Sequence, residues 1–206
     1  MGSLATGSKK VERWLTDDYP AIRTQADEED AIIFFLDEST AKSEAHRGRT
    51  WGLRGQTPTV RVTGARHRLN LISAVSSEGL LRYKTFTGKL DQWAFIRFLK
   101  SLLSSVRKPV IIITDGHPAH RAKSVRQFVE KEPRLLGLHL LPSYSPELNP
   151  DELAWSYLKQ KLGKVAHRSK ENFIRLIRKT MKPLQNSPKT VAGFFRQYHT
   201  AYACRY

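Results

Sequence analysis

The chain has 206 residues, 40% of them hydrophobic, enough for one substantial core with room for appendages. Its single cysteine, Cys204, excludes an internal disulfide framework and a cysteine-rich zinc site and suits a reducing, cytoplasmic compartment, while no apolar run reaches membrane-span length and no signal peptide is visible. A net charge of +16, with twelve Lys/Arg against one acid (Glu171) from Trp155 onward, argues less for an ordinary solvated surface than for a polyanionic partner, most simply nucleic acid.

In chain order, residues 1–8 are small, polar and Gly/Ser-rich, as in a tag scar or a frayed end. Residues 9–30 read as a short helical lead-in, broken near Pro20 and ending in an acidic run. Residues 31–36 (AIIFFL) form an unbroken apolar run of strand length, the pattern of a strand covered on both faces, with Asp37 at its carboxyl end. Residues 38–68 are irregular and basic, and Arg47, Arg49 and Arg54 with Trp51 make a plausible DNA-contacting loop. Residues 69–75 and 80–86 flank a Ser-Ser-Glu-Gly turn and read as an antiparallel pair. Asp91 suits the cap of a helix carrying Phe95, Ile96, Leu99, Leu102, Leu103 and Val106 at helical spacing.

A second fully apolar strand, 110–113 (VIII), ends in Thr114-Asp115. A helix over 118–132, with Val125, Phe128 and Val129 inward, leads to a strand at 137–141. Next come a Pro142-Ser-Tyr-Ser-Pro loop and a helix with full start signals: Asn149 as cap, Pro150 at the first helical position, Asp151 and Glu152 in the first turn. Leu148 and Leu153 are spaced as a hydrophobic staple. Two basic amphipathic helices follow Gly163, at 169–182 and at 188–203, the latter with Val191, Phe194, Phe195, Tyr198 and Tyr202 on its apolar stripe. The chain thus divides into a lead-in over 1–30, an α/β domain over 31–165 and a basic helical extension over 166–206.

The chemistry lies in the acids. Each of the two most apolar strands runs into an aspartate. If those strands are parallel neighbours, Asp37 and Asp115 emerge together at the carboxyl edge, where open α/β sheets bind ligands. Strands lie about 4.8 Å apart. Two carboxylates at that distance repel by about 3 kcal/mol at an effective dielectric near 20. A hard cation such as Mg²⁺ removes that repulsion, and Glu152 is placed to close the cage. Taken singly, each aspartate also suits a turn or cap, and Glu152 suits a capping-box contact to Asn149. Glu147 and Asp151 compete with Glu152 for the third place; Glu38, next to Asp37, points to the other face. His117 and His120 have an i, i+3 spacing that suits a metal but lack a third His or Cys nearby; His120 is a candidate to orient the site or touch phosphate. Lys159 is a further candidate DNA contact, and the basic tail either tracks DNA or covers the sheet.

Four segments, FLDES (35–39), WGLRGQTP (51–58), TDGHPAHRA (114–122) and LPSYSPELNPDELAWSYLK (141–159), together resemble the DDE transposases of bacterial insertion sequences related to the mariner superfamily, in order and spacing over about residues 20–165. The resemblance implies a ribonuclease-H-like fold, a mixed sheet flanked by helices, with Asp37, Asp115 and Glu152 as the catalytic acids. It also implies two Mg²⁺ ions, with Mn²⁺ able to substitute, Asp37 bridging them and Asp115 and Glu152 holding one each. The implied chemistry is cleavage at terminal inverted repeats and strand transfer into target DNA at TA dinucleotides, by a homodimer on DNA. Many relatives carry D-N-x-x-x-H where this chain has Gly116 after Asp115. The helix-turn-helix domains that the family carries ahead of its core would lie in a missing N-terminal segment or a separate partner chain, unless the chain is a remnant. A DNA-binding protein without recombination and a nuclease without strand transfer are the rival functions.

Overall fold

A computed structural model describes residues 9–43, 54–56, 66–163 and 169–204. A five-stranded mixed sheet forms its centre: β1 (Ile32–Lys42), β2 (Arg68–Val75), β3 (Leu81–Phe86), β4 (Val110–Thr114) and β5 (Leu135–Leu140), in spatial order β3-β2-β1-β4-β5. β1 pairs antiparallel with β2 and parallel with β4, and β4 pairs parallel with β5. The two apolar runs of the sequence are therefore parallel neighbours, with Phe35 opposite Ile113.

Strand alternation sorts β1 into two cores. Ile32, Phe34 and Leu36 pack with Ile112 of β4 under the helices α2 (Gln92–Ser104) and α3 (Lys123–Lys131). Phe35 packs with Ile111 and Ile113 on the opposite face. There they meet the N-terminal helix α1 (Tyr19–Glu28), α4 (Asp151–Leu162), α5 (Lys170–Gln185) and α6 (Pro188–Gly193). This parity carries the chemistry. Asp37 shares the face of Phe35, whereas Glu38 follows Leu36 to the face of α2; Asp115 stands just past the end of β4.

Several sequence expectations are corrected. Asp37 does not end its strand: β1 continues through Lys42, because β2 stays in register to Lys42–Arg68 after β4 has stopped. Asp37 marks instead the point where the parallel partner runs out. Pro20 does not break the lead-in, since a π-helical turn at Trp14–Asp18 runs straight into α1, with the Tyr19 N–H reaching the Trp14 carbonyl. The wider turn absorbs the proline, which has no N–H to give and would crowd a regular preceding turn. The lead-in packs into the fold: Trp14, Tyr19, Ile22 and Ala26 are buried in the core.

The helix expected from Pro118 starts only at Lys123, after a turn. The last predicted helix is fragmented: α6 gives way to 3-10 turns at Phe194–Arg196 and Ala201–Ala203, with Gln197 extended between them. Tyr198, expected inward, is 91% exposed, while the Tyr202 hydroxyl donates to the Leu148 carbonyl at 2.9 Å. The basic tail is no appendage, because Phe173, Ile177, Met181, Leu184, Val191 and Phe195 are buried against the sheet's second face. The β2–β3 turn needs its glycine twice over: Gly79 sits at φ +85°, and a Cβ there would lie 2.5 Å from the Pro188 carbonyl oxygen.

Candidate active site

β1, the 115–121 turn and the loop entering α4 enclose an open cleft of about 460 Å³ lined by Asp37, Asp115 and Glu152, together with Gly116, His117 and Arg121. The three acids expected to converge line one cleft. Its far wall is the loop 141–149, where Tyr144 is fully exposed and held at φ +61°.

Asn149 fastens that loop to the sheet. Its side-chain amide donates to the Leu36 carbonyl at 3.2 Å, one residue before Asp37, and its Oδ1 accepts the Asp151 N–H at 3.1 Å. One side chain thus caps α4 and sets its first turn against β1. The regular helix is counted from Asp151, and Pro150 already has helical dihedrals, as its place at the helix start implies. The capping-box alternative for Glu152 is not used: the Asn149 N–H goes to the Pro146 carbonyl instead. Glu152 is left half-buried and directed to the cleft.

Its neighbour Asp151 has a different place. Fully buried, it takes the Ser73 hydroxyl at 2.7–2.8 Å and the Asp37 backbone N–H. Asp151 therefore braces the strand that carries Asp37, and Glu147 is exposed outside the cleft lining. Trp155, 1% exposed, is buried in the core and donates its indole N–H to Asp37 Oδ2 at 3.0 Å. Its i+3 spacing from Glu152 placed it on the inner side of α4, but nothing local revealed the bond. Arg121 was missed as well. It is exposed at the cleft, and a Cβ on Gly116 would meet its guanidinium only at 3.9 Å.

The acids are electrostatically unlike. Burial, reinforced by Asp151, Glu152 and Glu38, pushes the Asp37 carboxyl up to about 9. Among the described residues, every charged neighbour acting on it is another carboxylate. Burial also raises Asp151 well above the carboxylate range, against the stabilising bonds from Ser73 and the Asp37 N–H. Asp115 goes the other way: burial opposes its ionisation, but the His120 imidazole and the His117 N–H hold it below the usual range. Hard carboxylate oxygens, with no basic partner on Asp37 among the described residues, fit a divalent cation, whose arrival would displace the Asp37 proton.

His120 is sealed from solvent, with Nδ1 2.9 Å from Asp115 Oδ1 and Nε2 3.5 Å from Glu38 Oε2. A ring so enclosed does not present itself to a phosphate. Lys159 and Arg54 are exposed but do not line the cleft, and Arg47, Arg49 and Trp51 lie outside the described residues.

Trp155→Phe keeps the bulk and deletes one bond to Asp37. A roughly 10- to 100-fold loss of apparent divalent-metal affinity is expected, with a stability loss of about 1 kcal/mol. Metal titration and chemical denaturation read the two effects separately.

A family profile described as DDE superfamily endonuclease matches residues 32–174. Among solved structures, the Mos1 mariner paired-end complex with Mn superposes with a TM-score of 0.63 at 16% identity, covering 96% of this chain and 64% of that one. The Mos1 strand transfer complex gives 0.62 at 18%, covering 96% and 63%. The isolated Mos1 catalytic domain gives 0.60 at 12%, covering 96% of each chain. At these identities the likeness establishes the ribonuclease-H-like fold. The chain spans less than two thirds of the transposase in the two complexes. No curated protein matches it. None of the described helices is long and apolar enough to cross a membrane.

Proposed function

The chain belongs to the DDE superfamily of endonucleases, and from that premise we propose that it is the catalytic domain of a mariner-related transposase, cutting DNA at transposon ends and joining them to target DNA. The observation that carries the proposal is the convergence of Asp37, Asp115 and Glu152, from three separate segments, on one cleft.

In this reading the carboxylates of Asp37, Asp115 and Glu152 would hold divalent cations, Mg²⁺ or Mn²⁺ in its place. The solved relatives include paired-end complexes with Mn and with Mg. Such ions, when bound, offset phosphate charge and make a coordinated oxygen nucleophilic near neutral pH. The chain's own residues do the positioning. Trp155 holds one oxygen of Asp37, His120 and the His117 N–H hold Asp115, and Asn149 and Asp151 lock α4 against β1 so that Glu152 reaches the same cleft. Arg121 at the rim would take a DNA phosphate, as would Lys159 and the Arg47, Arg49 and Arg54 segment, consistent with the net charge of +16.

DNA is the proposed partner, as terminal inverted repeats and as target at TA, with two copies pairing two ends. End recognition would come from a helix-turn-helix segment or partner chain. The catalytic core would span 31–165, with the flanking helices as its structural cover.

Pre-cut repeat ends, taken from the DNA flanking the coding sequence and incubated with the protein, Mg²⁺ and a target plasmid, test the reaction. Joined products that vanish in Glu152→Gln are expected. Hydrolysis without joining would leave a simple nuclease, and binding without either would leave a DNA-binding protein.

A further inference from the structure

On the far side of β1 from Asp37, Glu38 meets His117 and His120. One ligand atom from each of the three lies within 4.8 Å of the others. Glu38 Oε1 stands 3.9 Å from His117 Nδ1, and Glu38 Oε2 stands 3.5 Å from His120 Nε2. Among the described residues, neither Glu38 Oε2 nor His120 Nε2, both buried, has a hydrogen-bond partner, an arrangement that is costly unless something fills it.

The rest of the His120 ring is fixed. Phe95 packs on it with ring centroids 4.3 Å apart, and Nδ1 is engaged by Asp115 Oδ1 at 2.9 Å and Thr114 Oγ1 at 3.2 Å. That leaves Nε2 free to ligate, aimed at the Glu38 carboxylate. His117 is partly exposed and gives solvent a way in; its Nδ1 accepts the Ala119 N–H at 3.2 Å, a contact that ligation through that atom would replace.

We propose that Glu38, His117 and His120 form a second divalent-metal site, of zinc type, which backs onto the acid cleft through His117. Two imidazoles and one carboxylate, with a fourth position open to water, suit Zn²⁺ or Co²⁺ and are poor for Mg²⁺, which prefers oxygen alone. A histidine that binds a metal through one nitrogen and a carboxylate through the other is a recurrent arrangement that fixes the tautomer. Metal on Nε2 places the proton on Nδ1, facing Asp115. The site thereby locks the acid that the cleft uses, from behind.

Co²⁺ is the probe, titrated without DNA into metal-free protein in millimolar Mg²⁺ that occupies the acid cleft. One equivalent is expected to bind with the intense visible absorption of a low-coordinate N/O site. Affinity should fall at least about 10-fold in Glu38→Gln and in His117→Ala, both partly exposed positions. Asp37→Asn should bind Co²⁺ like the wild type. No Co²⁺ spectrum, a spectrum indifferent to both variants, or one lost in Asp37→Asn would overturn the proposal. Because DNA cleavage is not the readout, these outcomes leave the endonuclease reading untouched.

Discussion

Asp37→Asn is expected to abolish metal-dependent cleavage, by at least about 10³-fold, while making the metal-free protein more stable. The two effects share one cause. Asp37 sits under Trp155 among Asp151, Glu152 and Glu38, so the folded protein favours its neutral form and its carboxyl titrates near 9. A carboxyl raised in this way contributes fully below its unfolded pKa, about 4. The contribution erodes as the unfolded chain ionises and the folded chain does not, and it is lost once pH passes about 9.

Metal-free wild type should therefore lose stability relative to Asp37→Asn between about pH 4 and pH 9. The difference at pH 8 should be on the order of 3 kcal/mol, less than the full shift implies because water and side chains relax around a buried charge. Millimolar Mg²⁺ should raise the wild-type melting temperature and leave the variant unmoved. Equilibrium denaturation at several pH values, with and without Mg²⁺, measures all of this. A variant less stable than wild type throughout, or one equally stabilised by Mg²⁺, would show that Asp37 is not the strained acid of the cleft.

Asp151 and Glu152 are adjacent in sequence and opposite in expected consequence. Asp151→Ala leaves the Ser73 hydroxyl and the Asp37 N–H unpaired inside the core, at a cost of about 2–4 kcal/mol. In a chain of this length that lowers the melting temperature by about 5–12 °C. Asp151→Asn keeps an oxygen acceptor and most of the stability. Glu152→Ala, on a half-exposed first-turn residue, should cost under about 0.5 kcal/mol and lose cleavage by at least about 10³-fold. Melting curves alongside cleavage rates separate the brace from the proposed metal ligand; an active Glu152→Ala protein would move the third ligand elsewhere.

The convergence of the acids was legible because it rests on short-range rules. Unbroken apolar runs marked β1 and β4 as doubly covered strands, and the condition that they be parallel neighbours, which would bring their aspartates together, is met. Asn149, Pro150 and the two acids after them announced α4. What stayed hidden depends on distant partners. β1 runs six residues past its apolar stretch because β2 continues to pair with it, and no local pattern shows that. Which of Asp151 and Glu152 faces the cleft turns on Ser73, 78 residues away, and the Trp155 bond spans 118. The basic tail looked separable because its charge is conspicuous, whereas its place in the fold is decided by the apolar stripe from Phe173 to Leu184. Its final helix broke up where the Thr200 hydroxyl donates to the Phe194 carbonyl, a local bond that competes with helical continuation.

Anomalous diffraction from crystals soaked in Mn²⁺ addresses the shared-cation claim at its root. Density bounded by the carboxylates of Asp37, Asp115 and Glu152, and lost in Asp37→Asn, is the expected result. Manganese found elsewhere, with those three carboxylates bare at saturating Mn²⁺, would contradict it.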